Sequence, residues 1–133
     1  MYEELKKWRE ERGLEKTVGN IELNIYEELL ELMGIDNKKE IEFLKDKFKD
    51  EFGHLFGKAP IYIQIDALDD LKVFATNAIE AHGYDAEKTM NETIKEISSR
   101  KGEYNPNTQK WEKFKTEEAK KLWYKADYSL AKR

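Results

Sequence analysis

The chain has 133 residues, 39% charged and 39% hydrophobic, with 24 Lys and Arg set against 28 Asp and Glu for a net charge of −4. That length suits one domain able to bury a core without staples, while the lack of cysteine excludes disulfides, thiolate metal sites and a cysteine nucleophile, and two histidines are too few for a His-built zinc centre. The negative balance argues against nucleic acid as a partner, because affinity for phosphate backbones comes largely from Lys and Arg displacing counterions; the charged start MYEELKKWREERG lacks the apolar run of a signal peptide, no stretch is apolar for long enough to span a membrane, and a cytoplasmic protein is expected.

High charge and few prolines suit amphipathic helices around a modest core, so the expected class is all-α. Residues 2–13 carry Leu5, Trp8 and Arg9 at helical spacing and stop at Gly13. Residues 20–33 repeat Ile21, Ile25, Leu29 and Leu32 three or four apart, and Gly34 ends that helix. Residues 36–57 place Ile41, Leu44, Phe48, Phe52 and Leu55 in one stripe among alternating charges. After a loop ending at Pro60, the segment IYIQI alternates like a strand but runs into DALDDLKVFATNAIEAHG, whose period is helical, and a lone strand without a partner is the weaker reading. Residues 86–101 read as another helix through Met90, Ile94 and Ile97. GEYNPNTQKWEKFK reads as a turn or small hairpin, and Thr116 caps a last helix carrying Ala119, Leu122, Trp123, Ala126 and Leu130.

Two helices stand out because acids occur without interleaved bases. No Lys or Arg lies between Lys16 and Lys38, where Glu22, Glu27, Glu28, Glu31 and Asp36 sit, and Lys72 is the only base near Asp66, Asp69 and Asp70. On a helix Glu28 and Glu31 share a face, with Asn24 one turn earlier, and Glu28 continues the apolar stripe. At about 100° per residue, Asp66, Asp70, Val73 and Asn77 fall within roughly 60° bordering their own apolar face, so Asp66 and Asp70 are expected to turn inward. Like charges one turn apart oppose each other, and partly buried carboxylates need a compensating charge. A hard divalent cation with oxygen ligands is one such charge, which leads towards phosphoester chemistry. The alternative is that these acids form solvated faces or meet distant lysines in the fold.

The segments LKKWREERG, EELLE at 27–31, DALDDLKVFATNAIEAHGYD at 66–85 and NETIKEISSRKG at 91–102 resemble, in order and character, phage-type MazG-like nucleoside triphosphate pyrophosphohydrolases. Glu28 and Glu31 match that family's first acidic pair, and Asp66 and Asp70 match its second in the DxxxD form. The resemblance implies an antiparallel helical bundle core over residues 1–102, with an inserted helix at about 37–57, and a turn plus helical extension over 103–133 that packs on the core or on a second subunit. It implies a homodimer or homotetramer that uses Mg²⁺, with Mn²⁺ as a substitute, to cleave (deoxy)nucleoside triphosphates to monophosphate and pyrophosphate, with dUTPase-like or dCTPase-like specificity as a variant. Glu28, Glu31, Asp66 and Asp70 would hold the metal, and Glu27 or Glu28 would serve the attacking water. Asn24, Asn77, Asn91, Lys95, Arg100 and Lys101 would meet substrate, and Trp8 would stack on a base. The interval from residue 32 to 65 is longer than that family's usual spacing and houses the 37–57 helix. The competing class is a non-enzymatic helical interaction or nucleic-acid-binding module, whose aromatic, lysine-rich tail (Trp111, Phe114, Trp123, Tyr124, Tyr128) meets the partner.

Overall fold

A computed structural model of the chain describes residues 1–14, 20–107 and 110–133. It has two compact units, a central one of Val18–Asp69 and a terminal one of Met1–Thr17 with Asp70–Arg133. The described residues form helices α1 (Tyr2–Glu11), α2 (Ile21–Leu32), α3 (Lys38–Phe52), α4 (Ile61–Ala81), α5 (Ala86–Ser99) and α6 (Glu117–Lys121), with short 3₁₀ turns at Gly53–Leu55 and Tyr128–Ala131. Strands β1 (Gly102–Asn105) and β2 (Lys110–Lys113) pair antiparallel, Tyr104 opposite Trp111, in the expected small hairpin. Thr108 and Gln109 of its turn, like Lys16, lie outside the described residues. The mostly helical class expected from composition is therefore the one observed.

Local chemistry sets the helix ends. Asn37 Oδ1 accepts from Glu40 N–H at 3.0 Å and starts α3, and Asp85 accepts from Glu87 and Lys88 N–H to start α5, each side chain satisfying donors that an opening turn leaves unpaired. Gly34 takes φ +89° just after α2, a backbone region costly for any residue with a Cβ. The ambiguous IYIQI segment is helical. Pro60 C=O accepts from Ile63 and Gln64 N–H at 3.0 and 3.1 Å, so the proline sits where its missing donor has no helical partner.

In the central unit α2 packs on α3 over buried Leu23, Leu30 and Ile41, and Tyr26 stacks on Phe48 with centroids 4.2 Å apart. In the terminal unit α5 packs on α1 and on the last 3₁₀ turn, around Ile94 and Ala131. Three buried polar residues lie there too: Arg12, Thr89 and Glu92. Arg12 lies between Trp8 and Trp111, its guanidinium carbon 5.0 and 4.7 Å from the two ring centroids, and donates to the carbonyls of Trp8, Ile97 and Arg100 at 3.0–3.3 Å.

The last helix is much shorter than its sequence stripe suggested. Thr116 does cap it, Oγ1 accepting from Ala119 N–H, but α6 ends at Lys121, and Leu122 and Leu130 are exposed. Side chains on α5 supply the reason: Ser99 Oγ, Glu96 Oε1 and Glu92 Oε1 accept from the N–H groups of Tyr124, Ala126 and Asp127. Backbone donors that a longer helix would have used internally are drawn onto α5 instead.

A candidate metal centre on the second helix

Three carboxylates within about one turn of α2 converge. Glu27, Glu28 and Glu31 each place an oxygen within 4.8 Å of the others, the sole such group of three or more acids or histidines among the described residues. Helical periodicity makes Glu28 and Glu31 neighbours on one face, and Glu27 adjoins them in sequence. The Glu28 carboxyl is held above its usual range, first by partial desolvation on the helix face, then by a hydrogen bond with Glu31 and by the charges of Glu31 and Glu27. The side chain is nonetheless open to solvent, so a ligand has access.

Glu27 differs from its neighbours. Lys45 of α3 donates to its Oε1 at 3.0 Å and lies 3.5 Å from Glu42. Burial opposes the Lys45 charge, but hydrogen bonds and proximity to Glu27 and Glu42 outweigh it and raise the lysine's pKa. The base-free stretch of sequence thus receives one counter-charge from the next helix.

All donors in the cluster are carboxylate oxygens, which fits a hard cation such as Mg²⁺ and does not fit a soft one. The mutual repulsion that raises Glu28 is the kind a bound cation would relieve.

The other expected site residues divide between the units. Asn24 is exposed on α2 and Asp66 exposed on α4, both in the central unit, but Asp66 is not part of the α2 cluster. Asp70 and Asn77 follow on α4 within the terminal unit, also exposed. The expectation that Asp66 and Asp70 turn inward is corrected here: both are exposed, and no residue of α4 is buried.

Several residues expected to meet substrate are engaged in holding the terminal unit together. Lys95 pairs at 3.0 Å with buried Glu92, and Arg100 lies near Glu96 and over Trp123, while its carbonyl accepts from Arg12. Trp8 is half-buried against Arg12, with its indole N–H unpartnered. Asn91 and Lys101 are exposed.

Glu92 was not foreseen. Hydrogen bonds from Tyr124 OH, Asp127 N–H and Lys95 hold its carboxyl at about 2, and the same bond pushes the Tyr124 phenol up to about 12. Nothing in its spacing on α5 marks it as buried; its function is to anchor the C-terminal segment.

An open concavity of about 510 Å³ lies beside the hairpin, lined among others by Tyr104, Lys113, Phe114 and Lys115. Among the described residues no helix is long and apolar enough to cross a membrane. No known protein family, curated protein or solved structure matches the chain.

Proposed function

We propose that the chain is a Mg²⁺-dependent nucleotide pyrophosphatase of MazG-like type, hydrolysing (deoxy)nucleoside triphosphates to monophosphate and pyrophosphate in nucleotide-pool control. The observation that carries this reading is the convergence of Glu27, Glu28 and Glu31 on an exposed face, with Glu28 held protonation-prone by its neighbours. Glu28 and Glu31 would hold the cation, with Asp66 and Asp70 as the second acidic pair the resemblance implies. Bound there, Mg²⁺ supplies charge neutralisation at phosphate oxygens and lowers the pKa of coordinated water. Glu27 or Glu28 would take the proton from that water, and the hydrogen bond from Lys45 fixes the Glu27 carboxylate in orientation. Self-association as a homodimer or homotetramer belongs to the same reading.

The test is pyrophosphate release from a panel of canonical and modified nucleoside triphosphates, with Mg²⁺ and with chelator. Glu28→Gln and Glu31→Gln should each abolish turnover while leaving the far-UV circular dichroism unchanged. Full activity in either variant removes that residue from the site.

A second reading rests on the concavity at the hairpin, where Tyr104 and Phe114 stand exposed beside Lys113 and Lys115. It would make the chain a binding module whose stability is indifferent to Mg²⁺. A cation-linked rise in melting temperature that Glu28→Gln removes favours the enzyme, since a ligand bound only to the folded state must stabilise it.

A further inference from the structure

The net charge of −4 hides a division within the chain. Residues 1–99 carry 14 Lys and Arg against 23 Asp and Glu, whereas residues 100–133 carry ten against five. That basic stretch lies wholly in the terminal unit and contains the hairpin with its concavity of about 510 Å³. Side chains alternate between the two faces of a strand pair. Phe114 N–H donates to Lys101 C=O at 2.9 Å and extends the register by one pair, so Lys101 stands opposite Phe114 and Glu103 opposite Glu112 on one face, while Tyr104 and Trp111 share the other. On that second face Trp111 is covered by Arg12. On the first, Phe114 is 42% exposed, with no ring or cation over it among the described residues, and Lys101, Glu103 and Lys115 are exposed around it. Asn105 is engaged in the turn, donating to Glu112 at 3.0 Å and accepting from Asn107 N–H at 2.9 Å.

We propose that this face binds single-stranded nucleic acid, with a guanine base stacked on Phe114. An exposed ring among basic residues is a platform for an unpaired base, because every base offers a π-face and the lysines meet the phosphates. Lys101, opposite the ring, and Lys115, beside it in sequence and lining the concavity, supply those contacts. Glu103 chooses the base. It is the diagonal neighbour of Phe114, ~7–8 Å away across the strand pair, within reach of the edge of a base lying on the ring. An ionised carboxylate only accepts. Guanine presents two adjacent donors on its Watson–Crick edge, N1–H and N2–H, which a carboxylate takes in parallel as it takes a guanidinium's, and each of the other bases sets an acceptor beside its donor. A duplex does not fit, because its bases are paired and stacked and leave no face for a protein ring. A cationic peptide would also suit a carboxylate and a ring, but the excess of Lys and Arg over residues 100–133 repels it and attracts a polyanion.

This site rests on the terminal unit alone and holds whether or not the chain hydrolyses nucleoside triphosphates. The test is fluorescence anisotropy of the full chain with labelled thymine oligonucleotides, with and without a central guanine, in chelator and lacking a 5′ triphosphate, so that its outcome is independent of turnover. The guanine strand should bind roughly 5- to 150-fold more tightly than the all-thymine strand, and Glu103→Gln should make the two equal. Phe114→Leu, which keeps the apolar volume, should weaken both by roughly 5- to 150-fold, and Phe114→Trp should restore them. Lys101→Ala should lower the slope of log affinity against log salt by ~0.7. If Phe114→Leu opens the hairpin, Glu103→Gln and Lys101→Ala, both at exposed positions, decide. No saturable binding of any oligonucleotide, equal binding of a duplex, or a guanine preference that Glu103→Gln leaves unchanged would overturn the proposal. Saturable binding of an arginine-rich peptide in place of the oligonucleotide would overturn it too, and would give the face to a basic protein.

Discussion

Replacing Arg12 by Leu removes a cation buried between two indoles in the terminal unit. The structure gives the magnitude. Three carbonyls, those of Trp8, Ile97 and Arg100, lose a charged donor, and hydrogen bonds to charged groups are worth ~1.5–3 kcal/mol each. Two cation–ring contacts at 5.0 and 4.7 Å go as well, each ~0.5–2 kcal/mol according to desolvation. Against this, Leu no longer carries the cost of desolvating a guanidinium, and burial already holds the Arg12 pKa below its usual value despite the nearby Glu11. The expected net loss is about 2–4 kcal/mol, or roughly 10 °C in melting temperature for a domain of this size. Arg12→Lys should recover less than half of it, because an ammonium neither forks to three carbonyls nor stacks flat between rings. Differential scanning calorimetry at neutral pH measures both. A melting temperature for Arg12→Leu within about 2 °C of the parent would refute the reasoning.

The Glu92–Tyr124 pair gives a pH signature. A carboxyl depressed from 4.5 to about 2 contributes stability that is complete above 4.5 and lost as pH falls towards 2, and a phenol raised from 10.0 to about 12 contributes stability lost as pH rises from 10 to 12. Tyr124→Phe should flatten the alkaline limb and weaken the acid one in urea titrations across pH; unchanged limbs would remove the pair from the account. For Glu28 the sign is opposite at neutral pH: its raised pKa means that ionisation above 4.5 opposes folding. Without metal, Glu28→Gln should therefore melt slightly higher than the parent at pH 7, by the ~0.2–0.5 kcal/mol of one like-charge helical pair, and a lower melting point would contradict the cluster's repulsion. Gly102→Ala should open the hairpin, since an added Cβ would clash with the backbone oxygen of Glu112 and meet Trp111 Cζ2 at 2.6 Å. A cost of ~1–3 kcal/mol or more is expected, visible as faster hydrogen exchange over β1 and β2; exchange as slow as the parent's would show the strand pair can yield.

What the sequence made legible was local. The stripes of α3 and α5 and the stop at Gly34 follow from the 3.6 period and from the left-handed backbone that glycine tolerates, and Thr116 announced its cap. On α2 the period was legible but not the face: Leu23 and Leu30 are buried, while Leu29 and Leu32 of the expected stripe are exposed. The acidic pair on α2 was legible for the same reason, because Glu28 and Glu31 meet within one turn. Long-range partners were not. Lys45 reaches Glu27 from α3, and Glu92 gathers Tyr124 and Asp127 from more than 30 residues away. Nothing in either local pattern encodes those distances. The last helix was over-read because Leu122, Ala126 and Leu130 keep helical spacing while the backbone donors of Tyr124, Ala126 and Asp127 are claimed by α5. The inward turn of Asp66 and Asp70 was over-read because an apolar arc tells which side seeks cover, and not which chain supplies it.

The most direct test of the central claim is chromatography of products after the protein is incubated with nucleoside triphosphates and Mg²⁺, beside a chelated control and Glu28→Gln. Monophosphate and pyrophosphate formed in equal amounts, with Mg²⁺ alone and by the parent alone, is the expected result. Intact triphosphate across the whole panel, from a folded protein whose melting temperature Mg²⁺ does not move, would contradict it.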